Sequence, residues 1–330
     1  MAIRILTPKS EYIMDYPAAI EFAKQQAEII WFPDEIEVEK DLHDLKTNCT
    51  EAEYHGIIST LKLFTIYELN VGNDYWQNYV SKVFPRPDIQ RMAATFSFME
   101  LCVHAPFYNK INEILGLDNE EFYNSYKEDT VLANRMAWIG KRTEKKDTVY
   151  DILKSVGIFS MIEGAILYSS FAFIKHFNSA GKNKLININA GINFSAIDEN
   201  IHSEAGAWLF NTLLKEAFLD NSIVLVDIMQ LTKELEDTAR VILEHESIII
   251  SKIFEKGSIK GITENQLKHF VESRLDICLV NLGFKALFKP KTNVIAKWFY
   301  KDIESSTLHD FFSSQGSDYN RAWSETKFIW

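Results

Sequence analysis

The chain has 330 residues, of which 47% are hydrophobic and 13% aromatic, enough to bury a sizeable core. Its net charge is −11 and it has no cluster of lysine and arginine, which excludes nucleic acid as a partner because phosphate contacts need such clusters. Cys49, Cys102 and Cys278 form no CxxC pair, and the N-terminal residues lack an apolar secretory segment, so we expect a cytoplasmic protein without disulfides or structural zinc.

Glycine (13 residues) and proline (7 residues) are sparse, which favours long helices. Three boundary signals stand out: Pro17 in a first helical turn, a capping box at Thr50–Glu53, and a stop at Phe84–Pro87. The predicted helices run, in chain order, over 15–30, 50–83, a segment ending near 116, 120–143, 147–178, a segment ending near 218, 222–256 and 263–286. The pattern then weakens, and we predict one all-α domain over residues 1–319 followed by a flexible tail, 320–330.

Residues 156–174 are nearly all apolar and approach the length of a membrane-spanning helix. Glu163 lies near the middle of this segment, and a carboxylate at that depth in lipid is costly. We therefore interpret the segment as the most buried helix of a bundle and expect no membrane association.

Six acidic and histidine residues, spread over four predicted helices, form a pattern that indicates a metal site. They are Glu68, Glu100, His104, Glu163, Glu199 and His202. In two of the helices a glutamate precedes a histidine by four or three residues, and residues at that spacing share one helix face. The other two helices contribute one glutamate each. Two single carboxylates and two glutamate–histidine pairs are the ligand set of a dinuclear site in a four-helix bundle.

The residues around these acids favour a metal site over ordinary surface charge. Glu163 lies in GIFSMIEGAILYSSFAFI and Glu100 lies in AATFSFMELCVHAPFY, and neither stretch contains another acidic residue, a lysine or an arginine. Buried carboxylates are costly without cations, and no basic residue is interleaved to supply one. Two divalent cations would balance four carboxylates, so we favour a dimetal centre.

The ligand types narrow the choice of metal. Oxygen and imidazole ligands without thiolate suit iron or manganese better than calcium or structural zinc. We expect two transition-metal ions per chain, as an Fe/Fe, Mn/Fe or Mn/Mn pair with iron favoured. The residues alone do not choose between the two metals.

The two glutamate–histidine pairs differ in spacing, because His104 follows Glu100 by four residues whereas the second pair is separated by three. Pro106 cannot donate the helical hydrogen bond to the carbonyl of Cys102. An added residue beside a lost hydrogen bond predicts a π-bulge, a feature common at functional sites. A simple proline kink is the alternative.

Five segments, taken together and in order, resemble those of one enzyme family. They are WFPDEIEV at Trp31, LKLFTIYE ending at Glu68, MELCVHAPFY around Glu100, MIEGAILYSSFAF around Glu163, and IDENIH ending at His202. The chain thereby resembles, over roughly residues 15–320, the small, radical-generating subunit of class I ribonucleotide reductase. The resemblance implies a ferritin-like bundle of long helices whose four-helix core holds the dimetal site, with the six residues above as its ligands.

The resemblance also implies a radical site and a route out of it. Tyr108 follows His104 by four residues, where the family has its radical tyrosine. Trp31 and Asp198 match the family's transfer route through a metal-bound histidine, here His104, whose ring N–H Asp198 is expected to accept. In this family the reduced dimetal centre reacts with an oxygen species and oxidises the tyrosine to a stable radical. The oxidising equivalent then passes to a separate large subunit that makes deoxyribonucleotides.

Three positions depart from the family pattern. Glu68 stands where the family often has aspartate, Leu167 replaces a common phenylalanine, and Ser195 lies where an apolar residue is often found. Leu167 and Phe171, one and two turns beyond Glu163, are expected to line the radical site with apolar surface. A longer first ligand and a more polar pocket are expected to alter metal choice or the lifetime of the radical.

The C-terminal residues also depart from the family, which usually ends in a docking segment for the large subunit. Tyr319 resembles the tyrosine just before that segment, but none of the eleven residues after it is a tyrosine. Trp323 and Trp330 are candidate radical relays, and Phe328, Ile329 and Trp330 are candidate anchors in a groove of the large subunit. An incidental hydrophobic end is the alternative.

Two other functions share parts of the pattern. A ferritin-like oxidase of a bound apolar ligand shares the metal ligands but does not need Trp31, Asp198, His104 and Tyr108 together. A metal-storage or structural bundle is a much shorter chain and needs no tyrosine at that position. The combination favours the small subunit of a ribonucleoside-diphosphate reductase, acting as a homodimer with a large subunit that docks through the C-terminal tail.

Overall fold

The computed structural model describes residues 3–144, 148–301 and 303. All regular secondary structure in these residues is helical, which confirms the predicted all-α class. Asp147, Tyr319 and the tail 320–330 with its candidate anchors and relays lie outside the described residues.

Four long helical stretches carry the candidate ligands, and each is named below by its glutamate. The Glu68 helix consists of Glu51–Leu69 and the π-helical segment Asn70–Val80, and the Glu199 helix is Ile186–Leu219. The Glu100 helix consists of Pro87–Met99, the π segment Glu100–His104 and Ala105–Leu115. The Glu163 helix consists of Val149–Met161, the π segment Ile162–Ile166 and Tyr168–Lys175.

The remaining described elements surround these four stretches. The other helices are Pro17–Glu28, Ser81–Val83, Glu120–Glu128, Thr130–Gly140, Leu225–Ile253 and Glu264–Asn281, with short 3-10 helices at Arg4–Leu6, Pro33–Glu35, Val38–Asp41 and Ser179–Gly181 and a π turn at Asp44–Asn48. A last helical stretch, 294–301, was not predicted from the sequence.

The π segment Glu100–His104 confirms the predicted bulge and rules out the simple proline kink. Two further π segments, in the Glu68 and Glu163 helices, were not predicted. The first is packed closely against the Glu100 helix, because a Cβ atom on Gly72 would lie 2.7 Å from the Cβ of Glu100. Only glycine lets the two helices approach to this distance, so Gly72 allows the π segment of the Glu68 helix to pack directly against the side chain of Glu100.

The prediction of one helix over 120–143 was wrong, since the structure has two, Glu120–Glu128 and Thr130–Gly140. Asp129 separates them. Its side chain accepts hydrogen bonds from the first backbone N–H groups of the second helix, which is the role of an N-cap residue. Its carboxylate also pairs with Lys252 at 2.5 Å, a contact that no local sequence pattern indicates.

The apolar stretch Val149–Lys175 has the length and composition of a membrane span, and its most apolar part, a window of 18 residues, is completely buried inside the fold. Every residue from 155 to 175 is buried, including Glu163 at 4% exposure. This burial agrees with the interpretation of the segment as the core helix of a bundle.

His176, just beyond the Glu163 helix, makes folding stability depend on pH. Its ring is fully buried against Phe173 and Phe177, and burial lowers its pKa to about 3 although Nδ1 donates to the carbonyl oxygen of Phe173. The unfolded chain then binds a proton, near its usual pKa of about 6.5, that the folded chain does not bind. The stability is present above that pH and is lost as the pH falls towards 3.

We expect His176→Phe to remove this part of the pH dependence. Between pH 7 and pH 5 the wild type should lose about 2 kcal/mol of unfolding free energy relative to the variant. Urea unfolding at several pH values measures the difference. Parallel pH profiles for the two proteins would contradict the prediction.

Candidate metal centre

The six candidate ligands lie in one buried cluster. The least buried of them, Glu163, is 4% exposed. Their ligand atoms form two overlapping groups, in each of which all ligand atoms lie within 4.8 Å of one another. The groups are Glu68, Glu100, His104 and Glu199, and Glu100, Glu163, Glu199 and His202. Two glutamates belong to both groups, as expected for residues between two ions.

Glu100 lies between the two imidazoles. One of its oxygens is 2.6 Å from Nδ1 of His202, and the other is 3.0 Å from Nδ1 of His104. The same nitrogen of His104 is 3.2 Å from an oxygen of Glu199. Both histidines therefore direct Nδ1 towards the carboxylates, and the π segment Glu100–His104 brings the glutamate and the histidine of the Glu100 helix into register.

The carboxylates of the cluster strongly perturb one another. Burial, reinforced by the charges of Glu100 and Glu199, raises the pKa values of Glu68 and Glu163 well above their usual range. Burial and the charge of Glu100 raise the pKa of Glu199 to about 7. Such mutual repulsion in a desolvated site is what bound cations would relieve.

The histidines act in the opposite direction. Burial opposes ionisation of Glu100, but His104 and His202 outweigh it and lower the pKa of that carboxyl. Burial also opposes protonation of His104, yet the charge of Glu100 and the hydrogen bond to Asp198 raise its pKa well above the usual value. Without a metal, the imidazoles therefore offset part of the repulsion among the carboxylates.

The residues of the cluster fit a pair of divalent transition-metal ions. Within the described part of the chain, Glu100 and Glu199 form ion pairs with the two histidines, and none of the four carboxylates pairs with a lysine or arginine. Oε1 of Glu68 and Nε2 of His202 have no hydrogen-bond partner among the described residues, and such buried polar atoms are costly. Four carboxylates and two imidazoles match the donor types and the charge of two divalent ions.

Trp76 is a residue of the site that the sequence analysis missed. Its indole Nε1 donates to Oε1 of Glu163 at 2.6 Å, and its ring packs edge-on against Phe96. Trp76 is fully buried in the π segment of the Glu68 helix. It lies eight residues after Glu68, just over two helical turns along the same helix, and that spacing was the available signal.

Tyr108 lies in a dry aromatic pocket next to the cluster. The side chain is fully buried, with its ring centroid 4.5 Å from that of Phe64 and 5.2 Å from that of Phe107. No described residue makes a hydrogen bond of normal geometry to its hydroxyl. Burial and the charge of Glu68 raise the pKa of Tyr108 well above its usual value, although His104 and the neighbouring hydroxyl of Ser195 oppose this.

The two residues expected to line the tyrosine pocket lie on the Glu163 helix, on the side of Phe64 and the cavity next to the cluster. The ring of Phe171 contacts Phe64, at 5.8 Å between centroids, so Phe64 stands between it and Tyr108. Leu167 lines a small cavity next to Glu68 and Glu163. Phe64 is therefore the aromatic neighbour that the sequence analysis missed.

Asp198 joins a metal-site histidine to a tryptophan. Its Oδ2 accepts hydrogen bonds from Nε1 of Trp31 and from Nε2 of His104, both at 2.9 Å. The two rings are stacked, with centroids 5.9 Å apart. The three residues are buried, so the chain of hydrogen bonds runs entirely through the protein interior.

Gln26 holds the other oxygen of this carboxylate. Its Nε2 donates to Oδ1 of Asp198 at 2.8 Å, and the side chain is fully buried. The sequence analysis did not single it out. The signal was its place on the apolar face of Pro17–Glu28, where the other buried positions are Ala19 and Ala23.

Comparison with known proteins identifies the family. Residues 11–294 match the family model described as ribonucleotide reductase, small chain. A probable ribonucleoside-diphosphate reductase small subunit of Invertebrate iridescent virus 3 is 24% identical, over 93% of this chain and 83% of the relative. The ribonucleoside-diphosphate reductase subunit beta of Chlamydia pneumoniae is 24% identical, over 88% of this chain and 84% of the relative.

Solved structures share the fold. A putative class I ribonucleotide reductase from Bacillus halodurans has a TM-score of 0.76 and 22% identity, covering 89% of this chain and 93% of that structure. The dimanganese(II)-NrdF protein of Streptococcus sanguinis has a TM-score of 0.74 and 17% identity, covering 90% of this chain and 99% of that structure. The architecture is therefore the ferritin-like helical fold that the resemblance implied. The chain belongs to the ribonucleotide reductase small-chain family of oxidoreductases.

Proposed function

We propose that this chain generates a tyrosyl radical at a dimetal centre and passes the oxidising equivalent to a large subunit that reduces ribonucleoside diphosphates. Six residues would hold the two ions. They are Glu68, Glu100, His104, Glu163, Glu199 and His202, the residues whose ligand atoms converge in the buried cluster. When bound, the ions supply the redox chemistry that activates an oxygen species.

One arrangement supports a radical function over metal storage. The hydrogen bonds of Asp198 connect Trp31 to His104, and His104 is both a candidate ligand and one helical turn before Tyr108. A storage site needs neither a buried oxidisable tyrosine nor a hydrogen-bonded route out of the centre. This hydrogen-bonded set of Trp31, Asp198 and His104, one turn from a buried tyrosine, is the observation on which the function depends.

The protein side chains have separable tasks. Tyr108 would give an electron and its hydroxyl proton to the oxygen species activated at the centre, and its burial against Phe64 and Phe107 excludes water that would quench the radical. Asp198 accepts the N–H groups of His104 and Trp31 and so fixes the orientation of both rings. The same carboxylate keeps the two rings in stacked contact, close enough for electron transfer between them.

Iron is the metal that we favour, in an Fe/Fe or Mn/Fe pair, with Mn/Mn as the third possibility. Oxygen and imidazole ligands suit both metals. The Streptococcus sanguinis relative is a dimanganese(II) protein, which supports including manganese in any reconstitution. Anomalous diffraction at the iron and manganese edges identifies the metals directly.

We further propose a cytoplasmic homodimer that works with a separate large subunit. The family small chain works with such a subunit and is typically dimeric. We propose that the large subunit docks on the tail 320–330, which lies outside the residues that the structure describes. Co-sedimentation of the large subunit with the full chain and with a chain ending at Tyr319 tests the role of the tail.

An oxidase acting on a bound apolar ligand is less well supported. The cavity that borders Glu68, Glu163 and Glu199 has room for about one water molecule. This cavity is therefore too small for a fatty or aromatic substrate. The metal ligands are those of such oxidases, but this cavity is not large enough for their substrate.

Aerobic reconstitution of the Tyr108→Phe variant tests the radical function. We expect wild type loaded with iron or manganese to show a tyrosyl paramagnetic signal, and the variant to bind the same amount of metal without that signal. Nucleotide reduction with the large subunit should fall by about 10³-fold, because phenylalanine has no hydroxyl to oxidise.

Tyr75→Phe is the matched control, because Tyr75 is also fully buried and stacks on Phe159 at 3.8 Å between centroids. It should keep both the signal and the activity. An identical signal in wild type and Tyr108→Phe would contradict the assignment of the radical to Tyr108.

A further inference from the structure

Two water-sized cavities lie next to each other beside the metal centre. The inner cavity is lined by three of the candidate ligands, Glu68, Glu163 and Glu199. The outer cavity is lined by Arg135, Glu246 and several hydroxyl side chains. Both cavities touch Tyr67, Ile166 and Leu167, so these side chains form the boundary that the cavities share.

The outer cavity contains a guanidinium with hydrogen-bonding capacity to spare. Arg135 is 1% exposed, and its Nη2 pairs with the equally buried Glu246. Its Nε and Nη1 have no hydrogen-bond partner among the described residues. Buried N–H groups without partners are costly, and a cavity of this size lets one water satisfy them.

The outer cavity also reaches towards the surface. Ser59, on the Glu68 helix, lines it and is partly exposed, with its hydroxyl turned to the carbonyl oxygen of His55 at 2.8 Å. Ser170, on the Glu163 helix, lines the same cavity and is 6% exposed. A molecule entering beside Ser59 therefore meets the Arg135 cavity, then Leu167, then the carboxylates of the centre.

We propose that these two cavities are the path by which a small neutral oxygen species, dioxygen or hydrogen peroxide, reaches the metal centre. This inference depends on the proposed function. The ion pair of Arg135 with Glu246 brings no net charge to the path, which favours neutral molecules over anions. The hydrogen-bond donors of Arg135 hold water in the path and keep it from collapsing onto the Tyr67 ring, which lies 4.9 Å below the guanidinium.

Leu167 keeps the inner end of the path passable. It lines both cavities and is 7% exposed. A phenylalanine there would place a larger ring between two spaces that each hold about one water. The shorter leucine is therefore the residue that connects the cavities.

Association of nitric oxide with the reduced, iron-loaded protein measures passage along the path, because binding requires entry but no turnover. We expect Leu167→Phe to slow association by about tenfold, since entry would then depend on side-chain fluctuations in a packed wall. Leu153→Phe is the matched control for overpacking in the same helix, because Leu153 is fully buried and lines neither cavity. It should associate at the wild-type rate.

Ser170→Val obstructs the outer cavity independently and serves if Leu167→Phe fails to fold. Ser155→Val is its control, because Ser155 is 3% exposed in the same helix and lines neither cavity. Slower association in Leu167→Phe and Ser170→Val, with unchanged controls, supports the path. Wild-type rates in both variants overturn it. An effect of Leu167→Phe without one of Ser170→Val overturns the passage beside Arg135.

A crystal structure of the metal-free protein gives a readout that does not depend on the metal. We expect an ordered water on Nε or Nη1 of Arg135 and a second one in the inner cavity, the latter missing in Leu167→Phe. Two dry cavities would overturn the path. A chain that binds no metal would instead overturn the proposed function. The crystal structure of the metal-free protein would still test the two cavities, because it does not depend on metal binding.

Discussion

Loading the metal-free protein with two equivalents of Fe(II) or Mn(II) is expected to raise its melting temperature by about 10 °C, the shift that tight binding at two sites gives a chain of this size. The cause lies in the cluster itself. Four buried carboxylates converge with no lysine or arginine paired to them in the described part of the chain, and cations bind this arrangement only in the folded state. Calorimetry with metal and with chelator measures the shift.

Glu163→Gln tests whether Glu163 is a metal ligand or a buried acid that contributes only to packing. The amide keeps the shape of the side chain and can still accept from Nε1 of Trp76, so the metal-free protein should melt at or above the wild-type temperature once the repulsion is relieved. The metal-induced rise should fall to less than about half, because a neutral amide oxygen is a poor ligand for these ions.

Glu246→Gln is the control for this comparison. Glu246 is as buried as the ligands but pairs with Arg135 outside the cluster. Breaking such a pair costs about 3–5 kcal/mol, so the metal-free variant should melt lower while keeping the full metal-induced rise. A full rise in Glu163→Gln would remove Glu163 from the ligand set. No rise in the wild type would remove the dimetal centre.

The sequence predicted the six residues of the cluster because each was marked locally. An isolated glutamate in a long apolar stretch, or a histidine one turn after a glutamate, is visible within a few residues of itself. The bulge at Glu100–His104 was marked in the same way, by an extra residue and by Pro106. The π segments Asn70–Val80 and Ile162–Ile166 had no such mark.

The missed residues have partners that are distant in sequence. Gln26 and Asp198 are 172 positions apart, and Trp76 and Glu163 are 87 apart, so nothing near either member of a pair indicates the contact. Gln26 resembled any polar residue of an amphipathic helix until the fold placed a carboxylate next to it. The sequence therefore indicates the groups that bear charge, whereas the groups that orient them become evident only from packing.

Helix ends were predicted wrongly, also because they depend on contacts between residues distant in sequence. The break at Asp129 depends on a capping carboxylate that is also paired with Lys252, and the helical stretch 294–301 follows a segment with weak periodicity. Local propensity is a weak prior that tertiary contacts override. Neither error moved a ligand, because the four ligand helices are long and strongly apolar, the case in which periodicity is most reliable.

Trp31→Phe is expected to leave the tyrosyl radical intact but to prevent its transfer to the large subunit. The indole of Trp31 donates to Asp198 and stacks on His104, but it touches none of the other candidate ligands in the described contacts. Metal loading and the paramagnetic signal per metal should therefore match the wild type. Nucleotide reduction with the large subunit should fall by about 10³-fold, because phenylalanine neither donates to Asp198 nor oxidises at an accessible potential.

Trp208→Phe provides the control, since the ring of Trp208 packs on Tyr16 and Phe22, and among the described residues it makes no hydrogen bond or ring contact with Asp198 or His104. It should keep both signal and reduction. Wild-type reduction in Trp31→Phe would show that the oxidising equivalent leaves by another route. Loss of the signal together with reduction would assign Trp31 to assembly of the centre. The split between an intact radical and lost turnover is the outcome that the proposed route predicts, because in that route Trp31 follows Tyr108 and the metal site and is reached through the hydrogen bonds of Asp198.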